Sequence, residues 1–472
     1  MYKELKTMLS KRSINIPAGN IYDQIEKWKS WYRGNVDDFH YYNVTLANGS
    51  VTECERLTMS MGKKIAEDFN KLIWSEKVQI NLDDDDKTDM LWEILDSKEN
   101  NFSIAFPDLL EKTFALGTGA MVEYLVDGEV KIDYIDADSI LPFNYDNKNI
   151  KGFIALSQWT EGAGEDKKCY TLLTFHEYNN GFYTRKNELY KSSTETSLGK
   201  LVNFEDAFPN VPQEIVYETD EPHFQIITPN ITNNFDLNSP MGISVFANSI
   251  DKLKSIDIKY DSFAKEYQLG KKRILVDKTA IKSSPRVNSE TGAVTNVSYF
   301  DSTDQTYVAI NGMENQPIKE IDMKLRHKEH IEGINADLSW LGAGVGLGQE
   351  FYSFDGKRLK TATEVISDKS DTYRTKVHHQ IIIKEALYGL VKSIMFLIGM
   401  ESEEINIVFD DSIIEDTNSE IERGMKLYGA GLISKEKFLT KYLGYTEAQV
   451  KEEFEKMKEE NKIITPEAID FM

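Results

Sequence analysis

Two long helical patterns, parted by a polar, β-prone stretch and followed by a run of glycines, leave this chain few ways to fold. From Ile243 to Tyr267 apolar residues return at steps of three and four: Ile243, Phe246, Ile250, Leu253, then Tyr260, Ala264 and Tyr267. That spacing predicts one long helix with a heptad-like seam, interrupted by Asp257. At ~1.5 Å per residue, about 28 residues would span ~42 Å. Lys278 to Gln316 turns polar, with turn signals at Gly292 and Gly312. The second pattern runs from Ile318 to Leu341 through Ile321, Leu325, Ile331, Ile334 and Leu338. Gly342-Ala343-Gly344-Val345-Gly346-Leu347-Gly348 follows. Glycine admits backbone shapes other residues avoid and raises the entropy cost of any fixed one. A mobile loop over 342–356 is therefore expected, with Gln349, Glu350, Phe351 and Tyr352 near its tip. A third long helix is expected from Leu359 to Ile398, its polar middle from Ser367 to Lys376 kinked or exposed.

The N-terminal third reads as mixed helix and strand. Helices are expected over Ile21–Tyr32, Leu57–Leu72, Asp89–Leu95 and Phe106–Leu116. Asp83 to Asp86 reads as a surface loop. Strands Ala120–Val126 and Val130–Ile135 flank Asp127-Gly128, a turn pair that tolerates positive φ. Short strands continue through Tyr183. Near the C-terminus a strand is expected at Ile405–Phe409. Thr446-Glu447-Ala448-Gln449 matches a capping box ahead of a charged helix, Val450–Glu460. The fold class is α+β, and 472 residues suffice for two to four domain-sized units.

The formal net charge of -23 argues against a free-standing DNA-binding domain, which is usually basic. It leaves room for DNA as a passenger, because a wall that repels phosphate releases no counterions and does not stick. Cys54 and Cys169 stand far apart and make no disulfide framework, which fits a reducing cytoplasm. The start, MYKELKTMLSKRS, lacks a signal-peptide core. The most apolar stretch, Ala386 to Met400, is too short for a membrane span.

Catalysis finds no positive support. A phosphate loop requires Gly-Lys-Ser/Thr at its end, yet Gln349 follows the last glycine, and no three of these glycines have dinucleotide-fingerprint spacing. His378 and His379 point about 100° apart on a helix and cannot share one ion well; polar residues on a helix face explain them and Glu385. No metal or cofactor is expected. One local charge reversal stands out: Lys265, Lys271, Lys272, Arg273, Lys278, Lys282 and Arg286 cluster where the first long helix ends, with Arg326, His327 and Lys328 on the second. Two readings fit. The cluster meets phosphate or an acidic partner, or it is a solvated helix end whose dipole favours cations.

In order and coverage these features resemble the portal proteins of long-tailed phages infecting Gram-positive bacteria. The likeness runs through Trp28–Gly34 (WKSWYRG), Met61–Trp74, Phe114–Ala120 (FALGTGA), Asp136-Ala137-Asp138, Gly242–Val276, Phe351–Arg374 and Gly431-Leu432-Ile433-Ser434. The resemblance implies a wing from 1–240 and 358–415, stem helices at 241–270 and 318–341, and a β-rich clip at 271–317. It further implies a tunnel loop at 342–357, containing Gly342, Gly344, Gly346, Gly348, Gln349, Glu350 and Phe351, and a helical crown at 416–472. It implies a non-enzymatic ring, typically of twelve subunits, at a capsid vertex. The ring would pass double-stranded DNA and meet the terminase large subunit, a head–tail adaptor, and the major capsid and scaffolding proteins. It would be assembled in the host cytoplasm without a membrane. Alternatives are another ring-shaped head–tail connector, disfavoured by length, and a nucleotide-binding enzyme using Gly342–Gly348.

Overall fold

A computed structural model of the chain describes residues 2–17, 20–46, 48–74, 78–162, 164, 167–270, 273–277, 283–287, 291–292, 294–298, 307–310, 318–321, 324–354, 362–400, 404–409, 424–443, 450, 454 and 456. The order begins with α1 Tyr2–Lys11, α2 Asn20–Arg33, β1 Tyr41–Thr45, β2 Val51–Glu55, α3 Met61–Ile73, β3 Gln79–Leu82, α4 Asp85–Leu95 and α5 Phe102–Leu116. A strand-rich stretch follows: β4 Gly119–Val126, β5 Glu129–Asp136, β6 Ile140–Asp146, β7 Asn149–Glu161, β8 Lys168–Asn179, β9 Phe182–Ser192, β10 Lys200–Val202, α6 Phe204–Ala207, β11 Glu214–Glu218 and β12 Phe224–Ile227. Then come α7 Ile250–Leu269, β13 Arg273–Asp277, β14 Ser283–Val287, β15 Val294–Ser298, β16 Tyr307–Ile310 and β17 Ile318–Ile321. Last are α8 His327–Gly344, α9 Ala362–Leu397, β18 Ile405–Val408 and α10 Lys435–Leu443. Helices and small sheets alternate, an α+β fold. The chain divides into two units, 1–74 with 79–407, and 75–78 with 408–472.

In the larger unit, β6 to β10 form an antiparallel sheet in the order β10-β9-β8-β7-β6, with β11 also on β9. One of its faces is covered by α1. Leu5 and Leu9, one helical turn apart, bury against Leu141, Ile154, Leu173 and Tyr190. Arg12 fixes the helix end: one guanidinium nitrogen donates to both Glu188 carboxylate oxygens, at 2.9 and 2.7 Å, and the other terminal nitrogen donates to the Tyr190 hydroxyl. A second sheet, β12-β4-β5, carries the hairpin expected from Asp127-Gly128, whose φ angles are 52° and 85°. Positive φ at both central residues lets the turn follow the strand twist. Helices α5 and α9 pack on this second sheet, and α3 packs on both of them. His379 lies between Phe69 and Phe114, edge to face at 5.3 and 5.4 Å.

Several element bounds depart from the sequence reading. The loop expected at Asp83–Asp86 is the start of α4, because Asp84 caps it by accepting from the N–H groups of Asp86 and Lys87. The first long helix begins at Ile250, after a 3-10 turn at Ala247–Ser249, and not at Ile243. Ile243 and Phe246 are buried all the same, in a non-helical segment held by the Val245 N–H on the Phe114 carbonyl at 3.0 Å. Residues 318–321 are a strand and not the start of the second helix, because they pair antiparallel with β13, Ile318 opposite Val276 and Ile321 opposite Arg273. The third helix passes through Ser367–Lys376 without a break, with Thr372 and Lys376 buried.

The smaller unit shows one worked helix start. The Ser434 hydroxyl accepts from the Lys437 N–H at 3.1 Å and opens α10, and Phe438 stacks between Tyr428 and Tyr442. The capping box at Thr446–Gln449 and most of 450–460 lie outside the described residues.

Candidate functional site

The two helices α7 and α8 run antiparallel, with buried Leu253 and Ile256 on one and Ile334, Leu338 and Leu341 on the other. Polar ties set their register. Asp337 accepts from the Ser255 hydroxyl at 2.6 Å and pairs with Lys259 at 2.7 Å, while Lys259 also donates to the Gly333 carbonyl. At the other end Glu266 takes Arg326 in a two-pronged pair, at 3.1 and 2.7 Å, and accepts from the Arg326 backbone N–H. Those hydrogen bonds hold the Glu266 carboxyl down to about 2. Glu266 thereby serves as the cap that α8 lacks from its own Arg326.

Asp257 does not interrupt the first helix. It is buried and fully used: it accepts from the Met59 N–H at 2.8 Å and the Thr58 hydroxyl at 3.0 Å, and meets His40 Nε2 at 3.1 Å. Four residues on, Asp261 accepts from the Leu57 N–H and pairs with Lys265, which also reaches the Tyr42 hydroxyl. One stripe of α7 thus grips the 57–59 segment, while its apolar stripe grips α8.

Between the two helices the chain forms a small sheet, β16-β13-β17, in which β13 is parallel to β16 and antiparallel to β17, and a separate β14-β15 ladder. Of the basic cluster, Arg273 opens β13 and is exposed, and Arg286 sits on β14 opposite Thr295. Lys271, Lys272, Lys278 and Lys282 lie outside the described residues. Lys265 and Arg326 are not free cations, since Asp261 and Glu266 neutralise them.

The glycine run is resolved differently from its reading as a loop from Gly342. Gly342 and Gly344 belong to α8. The helix stops by a paired closure: the Leu347 N–H bonds the Gly342 carbonyl at 2.9 Å and the Gly346 N–H the Ala343 carbonyl at 3.2 Å, with Gly346 at φ 83°. This is the Schellman arrangement, in which glycine takes the left-handed position. A Cβ on Gly342 would stand 2.2 Å from the Gly348 carbonyl oxygen. Thr372 and Thr375 of α9 donate to the carbonyls of Leu347 and Gly346 at 2.7 and 2.6 Å, and Leu347 is buried. Residues 345–348 are therefore held, and the mobile reading does not extend to them. Gln349 and Phe351 are exposed, Glu350 is half-buried and Tyr352 is buried. A glycine run at a helix C-terminus also presents the negative end of the dipole, which is the wrong end for a phosphate.

His379 is buried and not on a polar helix face. Its Nδ1 accepts from the Asn230 N–H at 3.0 Å, and burial, with His378 beside it, lowers its pKa to about 4. Among the described residues no group of three His, Cys, Asp or Glu side chains could hold a metal ion, and no helix is long and apolar enough to cross a membrane. Both cysteines are free. Sequence reasoning missed Glu266 and Asp337 as the residues that join the helix pair. Their three-to-four spacing from other charges on each helix was the only available signal, and many carboxylates share it.

An antiparallel helix pair that carries a small β-sheet between its arms and returns through a glycine closure into a third long helix defines a portal-type structural protein. The family described as phage portal protein, SPP1 Gp6-like, matches residues 19–467, and the chain belongs to that family. It is a phage portal protein, a component of the virion's capsid and of viral DNA packaging. No curated protein matches the chain significantly.

Proposed function

We propose that twelve copies of the chain close into a ring at one vertex of the capsid of a long-tailed phage with a Gram-positive host, and that double-stranded DNA passes through its centre in packaging and ejection. The family match over 19–467 carries this reading. The apolar surface that one copy leaves open supports it. Trp340 on α8 is 64% exposed, and Tyr373, Val377 and Ile381 recur every four residues along α9, each exposed. A ring with head-to-tail interfaces covers such surfaces on every copy.

In this reading α7 and α8 are the stem and strands β13 to β17 the clip. The tunnel loop, expected at 342–357, is taken to begin beyond the closure of α8, with Gln349, Glu350 and Phe351 nearest the DNA. Residues 1–240 and α9 with β18 form the wing, and 416–472 the crown. Arg273 and Arg286, with Lys271, Lys272, Lys278 and Lys282, face the terminase large subunit or DNA from the clip. The head–tail adaptor and the major capsid and scaffolding proteins are the remaining partners, assembly takes place in the host cytoplasm, and the protein needs no cofactor and turns over no substrate. Electron microscopy and light scattering of the purified protein test the ring. Particles with a central hole and a mass near 650 kDa, twelve times 54.1 kDa, are expected; a monomer at every concentration refutes it.

A further inference from the structure

Between the two sheets of the larger unit lies a cavity of about 580 Å³, bounded by β4 and β5 on one side, β7 to β9 on the other, and α6 with its following loop. Its size is that of a small-molecule site, for which ~300–1,000 Å³ is usual. On its wall sits Arg185, 6% exposed. The guanidinium lies over the Tyr124 ring at 4.7 Å, and its Nε is buried without an acceptor. Among the described residues no carboxylate stands within ion-pair distance of it. Arg12, at the end of α1, by contrast has Glu188.

A buried Nε–H with no acceptor is costly, since that donor has been taken from water. Asp133 is close enough to feel the Arg185 charge, which opposes the rise that burial imposes on its carboxyl, yet among the described residues no neighbouring acid makes an ion pair with Arg185. Asp133 accepts from the Tyr124 hydroxyl at 3.0 Å, Asp136 pairs with Lys112 at 3.6 Å, and Asp138 pairs with Lys29. His176, bonded to the Tyr183 hydroxyl at 2.8 Å, is held neutral: burial, reinforced by Arg185, lowers its pKa to about 3. Among the described residues the wall thus offers a cation without an ion-pair partner, beside apolar surface from Val122, Leu172, Phe204 and Phe208.

We propose that this cleft binds a ligand bearing a single carboxylate on an apolar body, with the Arg185 fork on the carboxylate and the body against Phe204 and Phe208. A planar monoanion matches the fork in two-pronged geometry. A phosphate dianion would bring a second negative charge toward Asp133, Asp136 and Asp138. The carboxylate is either a free small acid or the C-terminus of another polypeptide, and the two are separable by experiment.

The test is calorimetric titration of the full-length protein with 3-phenylpropionate, its neutral amide, inorganic phosphate, and a pentapeptide ending in phenylalanine with a free or amidated C-terminus. Saturable binding of an acid form, at least about tenfold tighter than its amide and than phosphate, is expected, and it falls by about tenfold or more in Arg185→Gln with partial recovery in Arg185→Lys. If the free acid binds as well as the peptide, the ligand is a small acid; if only the peptide binds, the ligand is another chain. Equal binding of acid and amide, or no saturable binding of either acid form, overturns the proposal. The comparison of acid with amide on the unaltered protein decides the matter even if Arg185→Gln does not fold.

Discussion

Among the described residues, Glu123 is an acid that carries no charge-neutralising partner. It is fully buried on β4, and neither carboxylate oxygen meets a donor in good geometry, although Ser393 and Gln225 lie beside it. Burial, only partly opposed by those two groups, raises its carboxyl from 4.5 to about 8. The folded state therefore keeps this proton where the unfolded chain releases it. The stabilising contribution is complete below pH ~4.5 and is lost as pH rises through about 8. Glu123→Gln, which keeps the shape and removes the ionisation, is expected to raise the thermal midpoint at pH 8.5 and to leave it nearly unchanged at pH 5. The gain is on the order of 5 kcal/mol at most, from ~1.4 kcal/mol per pH unit. Equal shifts at the two pH values would show that Glu123 is not the titrating group. A second residue-scale expectation concerns Gly242. A Cβ there would stand 2.1 Å from the Gly117 carbonyl oxygen. Because the opposing atom is backbone and cannot swing away, Gly242→Ala is expected to cost roughly 2 kcal/mol or more, like other overpacked cores. Urea unfolding checks it.

At the scale of elements, Asp257 shows how far a sequence pattern reaches. The run of apolar residues on α7 was legible, and so were the hairpin at Asp127-Gly128, α2, α3 and the α9 helix. The carboxylate in the middle of the seam read as an interruption, because its three partners, His40, Thr58 and Met59, are about 200 residues away in the chain. The same limit explains β17. Ile318 and Ile321 satisfy a helical period as well as a strand, and only pairing with Arg273–Val276 decides between them. The glycine run failed for a different reason: composition reported freedom, whereas a helix closure and two threonine hydrogen bonds from α9 use that freedom to fix one shape. Asp257→Ala leaves a buried amide N–H, a hydroxyl and an imidazole without their acceptor. A loss of about 3 kcal/mol, the range for breaking a buried charged cluster, is expected in thermal or urea unfolding, with α7 itself retained by circular dichroism. Trp340→Glu, by contrast, changes an exposed position. It is expected to leave unfolding within about 0.5 kcal/mol while shifting particles toward smaller species in light scattering, if α8 contributes to the ring.

For the molecule as a whole, charge decides what a channel made of such chains can do. Each copy carries a formal charge of -23, and a ring multiplies it. Tight binding of double-stranded DNA needs many Lys or Arg contacts to phosphate, and each released counterion steepens the fall of affinity with salt. In the paired helices three cations are already taken, Lys259 by Asp337, Lys265 by Asp261 and Arg326 by Glu266, while Lys254 and Lys328 are exposed and form no ion pair among the described residues. Few cations on the helix pair are left for phosphate or for an acidic face of the terminase, and the group around β13 and β14, with Arg273 exposed at its start, adds to them. Two consequences follow for assembled rings. Fluorescence anisotropy with unrelated duplexes of equal length is expected to give weak affinities that do not depend on sequence, with a shallow dependence on salt. Reversal of Lys271, Lys272 and Arg273 to glutamate is expected to leave rings intact by electron microscopy and to reduce DNA packaging in infected cells by tenfold or so, a loss of ~1.4 kcal/mol in an essential contact. Tight, sequence-selective binding would contradict a passive channel. Collapse of the rings in the triple variant would show instead that these cations hold the fold, as Arg326 does at Glu266.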